Sequence, residues 1–136
     1  MKEYPIKIIV AWGEAISGNE KIRDWLTANK YPELAAFTYA INLRDDAREW
    51  LINEGHPELM ALVVGSEGDV NACKWLRKNG YSKLALVAEG ADNDEEAINA
   101  LLRDGHKEWV MISLKIQFIK NMIQSDNDDV HRISAR

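Results

Sequence analysis

Acidic residues are the most numerous candidates for chemistry in this chain. They concentrate in short polar segments between apolar stretches, and the members of interest are Asp45, Asp46, Glu67, Asp69, Asp92 and Asp94. Carboxylates in such segments often cap helices, because they accept hydrogen bonds from the free amides of the first turn and interact favourably with the helix dipole. Helix capping is therefore one interpretation, and an acidic ridge that recognises a basic partner is the other.

The histidines and the single cysteine do not predict a metal site. His56 and His106 occupy equivalent positions two repeat units apart. Stacked helices lie about 8–10 Å apart, so we expect roughly 20 Å between the two rings. A shared metal would require nitrogen ligands at about 2 Å. Cys73 falls in an apolar stretch and is expected to pack as a small apolar side chain. We therefore expect no metal and no cofactor.

No catalytic motif is recognisable in the sequence. It contains no Gly-x-Ser-x-Gly elbow, no P-loop, no dinucleotide-binding fingerprint and no His-Glu-x-x-His pair. Nothing indicates the burial that would raise the pKa of the many carboxylates. We therefore expect a protein that is not an enzyme and has no catalytic residue. The alternative is an enzyme or small-molecule binder with its site in a groove of the fold, where polar groups converge in a deep pocket.

The sequence repeats itself every 25 residues, and these repeats contain the elements that must position these side chains. Trp25, Trp50 and Trp75 are 25 residues apart, and a leucine follows each of them. Other columns keep this period, namely Tyr31, His56, Tyr81 and His106; Leu34, Leu59, Leu84 and Trp109; and Lys30, Gly55, Gly80 and Gly105. Self-similarity at a fixed period of about 20–50 residues is typical of stacked repeat units.

Each unit has the signals of two short helices. In the third unit Asp69 is a favourable N-cap, and Ala72, Trp75 and Leu76 follow at the spacing of one helix face. Gly80 supplies the left-handed residue that ends this helix. In two other units a proline opens the second helix, where it loses no hydrogen bond.

These units predict an all-α fold, an α-solenoid of stacked two-helix repeats with about nine helices. We expect a single domain over residues 1–124. It consists of a half-unit at 5–17 and repeats at about 19–43, 44–68, 69–93 and 94–124. The last repeat ends in a longer, more apolar helix from Lys107 to Gln124, which is expected to cap the stack. Residues 125–136 are expected to form a flexible tail.

In plan this chain resembles the two-helix α-solenoids and is similar to HEAT and leucine-rich-variant repeats. The Gly-His-Pro-Glu-Leu stretch at 55–59 also resembles the turn between the helices of ankyrin repeats. The resemblance covers residues 19–109. The period of 25 differs from the roughly 33 residues of ankyrin repeats and leaves no room for their β-turn finger. Repeat positions in these families are structural, so the resemblance implies no catalytic residue.

The three tryptophans have two interpretations. In the first, each indole packs in the core, wedged between the first helices of successive repeats. In the second, the indoles stay partly exposed and form a strip for a partner, because tryptophan is enriched among the residues that dominate binding energy at interfaces. Trp50 follows Arg48 and Glu49, which places this column beside the polar face of its helix.

Composition and charge restrict the class of partner. The chain has 136 residues and a net charge of −5, which argues against nucleic acid, because phosphate affinity depends on clustered lysine and arginine. No stretch approaches the roughly 20 apolar residues of a membrane span, and no secretory signal is recognisable. We expect a cytoplasmic monomer that binds another protein. A narrower form of this hypothesis is an inhibitor or immunity-type protein that neutralises a basic partner.

Overall fold

The computed structural model describes residues 3–134, with side chains described as far as residue 128. This part of the chain forms nine α-helices and no strands: α1 (Ile6–Ile16), α2 (Glu20–Ala28), α3 (Pro32–Ala40), α4 (Asp45–Asn53), α5 (Pro57–Ser66), α6 (Val70–Lys78), α7 (Ser82–Ala91), α8 (Glu95–Arg103) and α9 (Lys107–Ser134). The predicted all-α fold of stacked helix pairs with a long last helix is confirmed.

Local signals account for where the helices begin. The side chains of Asn19, Asp69 and Asp94 accept hydrogen bonds from first-turn amides of α2, α6 and α8. Proline stands at the start of α3 and α5. These caps satisfy amides that have no partner inside the helix, so each short helix has a defined first turn.

The turns repeat with the same backbone geometry. The positions that end the outer helices have positive φ angles in all four copies, and they are Lys30, Gly55, Gly80 and Gly105. A second column also has positive φ and joins one repeat to the next; it consists of Gly18, Leu43, Gly68 and Asn93. This second column was not recognised in the sequence, because its residue types differ from copy to copy.

The helices form two layers, and the inner layer closes on itself. The inner helices are α1, α3, α5, α7 and α9, and each contacts the next. Helix α9 also contacts α1, so that the first and last inner helices meet. The outer helices α2, α4, α6 and α8 each pack against the two inner helices that flank them in sequence. The array is thus a closed ring of five inner helices, whereas the ends of an open solenoid remain apart.

Aromatic packing holds the closure between α1 and α9. Trp12 is completely buried, with its ring edge-to-face against Phe37 at 5.0 Å and against Trp109 at 6.1 Å between centroids. At the other end of α1, the Lys115 ammonium donates a hydrogen bond to Ser17 Oγ at 2.7 Å. The inner face, where the enzyme alternative places its groove, is therefore filled by packed side chains.

The last helix extends past its predicted end. The sequence suggested a capping helix to Gln124, whereas α9 continues through Ser134. Neither glycine nor proline occurs between Lys107 and Arg136, so no residue in this segment breaks a helix. The flexibility of residues 125–136 remains an expectation, and residues 135–136 lie outside the described part of the chain.

Candidate functional site

The last turns of the outer helices position the three tryptophans. Each tryptophan lies three residues before its helix ends, and its carbonyl accepts a hydrogen bond from the C-cap amide at 2.9–3.0 Å. The side-chain amides of Asn29 and Asn79 donate to the carbonyls of Trp25 and Trp75 as well, at 2.8 Å each. These bonds hold the turn from which each indole projects.

The turn between the two helices then brings a second ring onto the indole. The Trp50 and His56 rings are nearly parallel, with centroids 5.8 Å apart and an interplanar angle of 13°. Trp75 and Tyr81 repeat this arrangement at 6.1 Å and 17°. Two columns of the 25-residue period therefore stack on each other, and a stacked partner restricts the orientations that each indole can adopt.

The indoles lie at the surface rather than in the core. Trp25 is 47% exposed and Trp75 is 38% exposed, while Trp50 is partly buried against the core. The core interpretation is therefore wrong for Trp25 and Trp75. Within the described chain the successive outer helices do not contact one another, so they offer no space in which an indole could be wedged. The fully buried residues are the neighbouring leucines, Leu26, Leu51 and Leu76.

A groove of about 540 Å³ lies beside Trp50, between the first and second repeats. Its lining includes Pro32 and Tyr39. The guanidinium of Arg44 lies 5.5 Å from the centre of the Tyr39 ring. It also donates to Asp46 at 2.9 Å, and this hydrogen bond holds the pKa of the Asp46 carboxyl below its usual value. The groove thus combines apolar and aromatic surface with one exposed ion pair.

Most of the predicted acidic residues have partners within the chain. Asp46 pairs with Arg44, as described above. Glu67 forms an ion pair with Arg48 at 3.0 Å, and Asp92 accepts a hydrogen bond from Lys120 at 2.7 Å. These pairs neutralise much of the ridge that the sequence suggested.

The remaining three acidic residues lie at helix starts. Asp69 and Asp94 are N-caps, and Asp45 lies exposed in the first turn of α4. Capping and pairing together account for all of the predicted acidic residues except Asp45. The acidic segments are therefore largely structural.

Four of the predicted site residues line two separate hollows. Asp46 and Trp50 line the groove between the first two repeats. Glu67 and Asp92 line a different hollow of about 430 Å³, which also includes Lys120 of α9. An acidic ridge and a tryptophan row therefore do not form one continuous site.

Sequence analysis missed a polar cluster where the inner helices begin. Glu33 and Glu58 are buried there, and the Tyr4 hydroxyl donates to Glu33 Oε1 at 3.0 Å. Burial, together with the nearby carboxylate of Glu33, raises the pKa of Tyr4. The signal was available, because both glutamates follow a proline in the same column of the 25-residue period. A glutamate in the first turn of a helix also compensates the helix dipole, so the column alone does not indicate burial.

A cavity of about 680 Å³ lies at the same end of the ring. Tyr4, Lys83, His106 and Glu108 are among the residues that line it. The Lys83 ammonium lies 5.3 Å from the centre of the Trp109 ring. Several polar side chains therefore border this cavity, as they border the hollow beside Lys120.

The candidate metal-binding residues lie apart. Cys73 is buried, and burial raises the pKa of its thiol. His56 stacks on Trp50, while His106 lines the cavity described above. Among the side chains that the structure describes, no three histidine, cysteine, aspartate or glutamate residues come together as metal ligands.

Comparison with known proteins finds no relative: no protein-family model, no curated protein and no solved structure matches this chain. The similarity to HEAT and leucine-rich-variant repeats is therefore limited to the arrangement of two helices in each repeat. In the part of the chain that the structure describes, no helix is both long and apolar enough to cross a bilayer. The function has to be inferred from the surfaces themselves.

Proposed function

We propose that this chain is a non-catalytic protein-binding module whose contact surface is the tryptophan row, Trp25, Trp50 and Trp75. The observation that carries the proposal is the exposure of Trp25 and Trp75 on helix ends that are held by hydrogen bonds. Exposed indoles are common among residues that dominate binding energy. Because Trp50 and Trp75 already stack on a neighbouring ring, less side-chain entropy is lost when a partner binds.

The arrangement resembles the way two-helix repeat proteins present equivalent side chains from successive units. In this chain the presenting surface is the outer one, because the inner helices form a packed ring. The groove beside Trp50 extends the aromatic surface with Pro32 and Tyr39. A partner segment that inserts aromatic or apolar side chains would fit it.

The net charge of −5 supports a basic partner, since complementary charge accelerates association. The narrower proposal is an inhibitor or immunity-type protein that neutralises such a partner. Pairing of Glu67 with Arg48 and of Asp92 with Lys120 leaves aromatic contact as the main source of affinity. Charge then contributes chiefly to the rate of association.

The test is a comparison of proteins captured from lysate of the source organism by the wild type and by a Trp25→Ala/Trp75→Ala double variant. The control is Val70→Ala, because Val70 is also exposed on an outer helix and lies outside the row. Each captured protein is then purified, and its Kd is measured at low and high salt. We expect the double variant to lose more than about 30-fold in affinity, as hot-spot residues do.

The outcomes separate the proposals. Equal capture by the wild type and the double variant would show that the tryptophan row is not the contact surface. A Kd that does not change with salt would reject the basic partner while leaving the aromatic surface in place, since screening weakens steering by charge. Equal losses for Val70→Ala and the double variant would indicate a general effect on the fold.

The alternative of an enzyme or small-molecule binder also remains a proposal. The cavity beside Lys83, His106 and Glu108 supports it, because polar groups border one hollow there. A small molecule that stabilises the wild type and the tryptophan double variant equally, and fails to stabilise Lys83→Met, would favour this alternative.

A further inference from the structure

Helix α9 presents an apolar face to solvent. Leu114, Phe118 and Met122 are exposed and follow one another at intervals of four residues, so they lie along one side of the helix. Phe118 is 64% exposed. The opposite side of α9 carries the buried Ile112 and Ile116 and packs on the ring. The helix is therefore apolar on two sides, and only one of them is covered.

A largely apolar groove of about 570 Å³ adjoins this face. Leu102 of α8 and Met111, Leu114 and Phe118 of α9 are among its lining residues. Leu102 is also exposed. The groove and the exposed side chains together form a continuous apolar surface, and surfaces of this kind commonly mark interaction sites.

The charge along α9 is polarised. Residues 107–120 contain three lysines and one glutamate, whereas residues 121–129 contain three aspartates and no lysine or arginine. A second α9 that ran antiparallel across Phe118 would place Lys107 opposite residues 128–129 of the other copy. Lys115 and Lys120 already pair with Glu14 and Asp92 of the same chain. The charge complementarity therefore rests on Lys107, which lies exposed beside the groove and would face the acidic segment of the other copy.

We propose that a second copy of this chain binds the exposed face of α9, with the two α9 helices antiparallel across a twofold axis near Phe118. Phe118 of each copy enters the apolar groove of the other, so that both surfaces are covered by the same contact, as in isologous dimers. The proposal replaces the monomer expected from the sequence and is independent of the tryptophan row.

The face is large enough to form a substantial part of a dimer interface. A stable interface commonly covers about 800 Å² on each partner, about a tenth of the 7989 Å² of accessible surface of this chain. Helix α9 has 28 residues and is therefore about 42 Å long. With a width of about 10 Å, one side of this helix covers about 420 Å² in projection, roughly half of that area, and the walls of the adjoining groove add to it.

The experiment is the measurement of molar mass by sedimentation equilibrium over a wide range of protein concentrations. We expect the wild type to reach twice the 15.5 kDa of one chain. Phe118→Glu should raise the dimer dissociation constant more than about 30-fold, as loss of a central hot spot does. The matched control is Val70→Glu, because Val70 is 65% exposed on a different helix, and this variant should dimerise like the wild type.

Charge reversal tests the antiparallel orientation. Lys107→Glu should weaken the dimer, and adding Asp128→Lys to the same chain should restore it, because the two reversed charges face each other across the twofold axis. A parallel pair would not be restored, since like positions would then be opposite. Far-UV circular dichroism of each variant verifies that the helices are intact.

Three results would overturn the proposal. One is a wild type that stays at the mass of one chain at every concentration. Another is a dimer that Phe118→Glu leaves unchanged. The third is a monomeric wild type that binds a different protein through Phe118, which would show that the face takes a partner other than a second copy.

Discussion

At the scale of single residues, one step along a helix decides between core and surface. Leu26 is completely buried, while Trp25 before it is 47% exposed. Successive residues point about 100° apart around a helix. Two residues that recur equally regularly in every repeat can therefore differ, one facing the core and the other facing solvent. The period therefore identified both columns but did not show which of them is buried. The larger side chain is the one that faces solvent.

This placement predicts unequal losses of stability in two adjacent residues. Trp25→Ala should lower the free energy of unfolding by about 1 kcal/mol, because about half of the residue is exposed. Leu26→Ala should lower it by about 2–5 kcal/mol, because it leaves a cavity in the core. The loss of stability in Trp50→Ala should lie between these two values, since Trp50 is partly buried. Urea unfolding followed by circular dichroism measures all three, without relying on the fluorescence of the residues removed.

Leu26→Ala is the internal control of this comparison, since it shares the helix and the turn with Trp25. Equal losses for the two variants would place the Trp25 indole in the core. In that case the tryptophan row would lose its role as a contact surface.

At the scale of elements, the sequence predicted the helix caps and the turns within each repeat. It did not predict the turns that connect one repeat to the next. Gly80 ends its helix as expected from local signals. The turns that connect the repeats also need a residue with positive φ. In one of these turns that residue is Leu43, with a φ angle of 67°. A leucine in this conformation is strained, because its Cβ crowds the backbone. The equivalent position of the next repeat is Gly68.

We therefore expect Leu43→Gly to stabilise the protein by about 0.5–1 kcal/mol. The left-handed conformation is free of strain for glycine, and this gain exceeds the entropy that glycine adds to the unfolded chain. The Leu43 side chain is mostly exposed, so little packing is lost. The measurement is the midpoint of urea unfolding, compared at equal m values.

Gly68→Leu is the reciprocal variant, and it should destabilise the protein by about 1 kcal/mol or more. A Leu43→Gly variant that is less stable than the wild type would mean that packing of the leucine outweighs its backbone strain.

At the scale of the whole molecule, closure of the ring changes how the repeats support one another. In an open array each unit contacts only its neighbours, and the terminal units fray. In this fold α1 contacts α9, and Trp12 lies between Phe37 and Trp109. Every inner helix therefore has inner neighbours on both sides, so the two ends of the array are supported like its middle.

This closure predicts uniform protection from hydrogen exchange. Backbone amides of α1 and of residues 109–116 in α9 should exchange as slowly as those of α5, because they open only with the whole ring. Native-state exchange monitored by NMR or mass spectrometry measures this directly. Amides of α1 that exchange orders of magnitude faster than those of α5 would show that the ends fray independently, as in an open solenoid.

The sequence by itself determined the number of helices, their approximate bounds and the pairing of each helix with its neighbour. These features depend on caps, turns and apolar spacing within about 25 residues, all of which are visible in one repeat. Tertiary structure alone decided the ring closure, the exposure of Trp25 and Trp75 and the burial of Glu33 and Glu58. Ring closure depends on the angle between successive repeats, and the exposure of each side chain depends on which neighbouring helix it meets. Neither is recorded in the spacing of residues within one repeat.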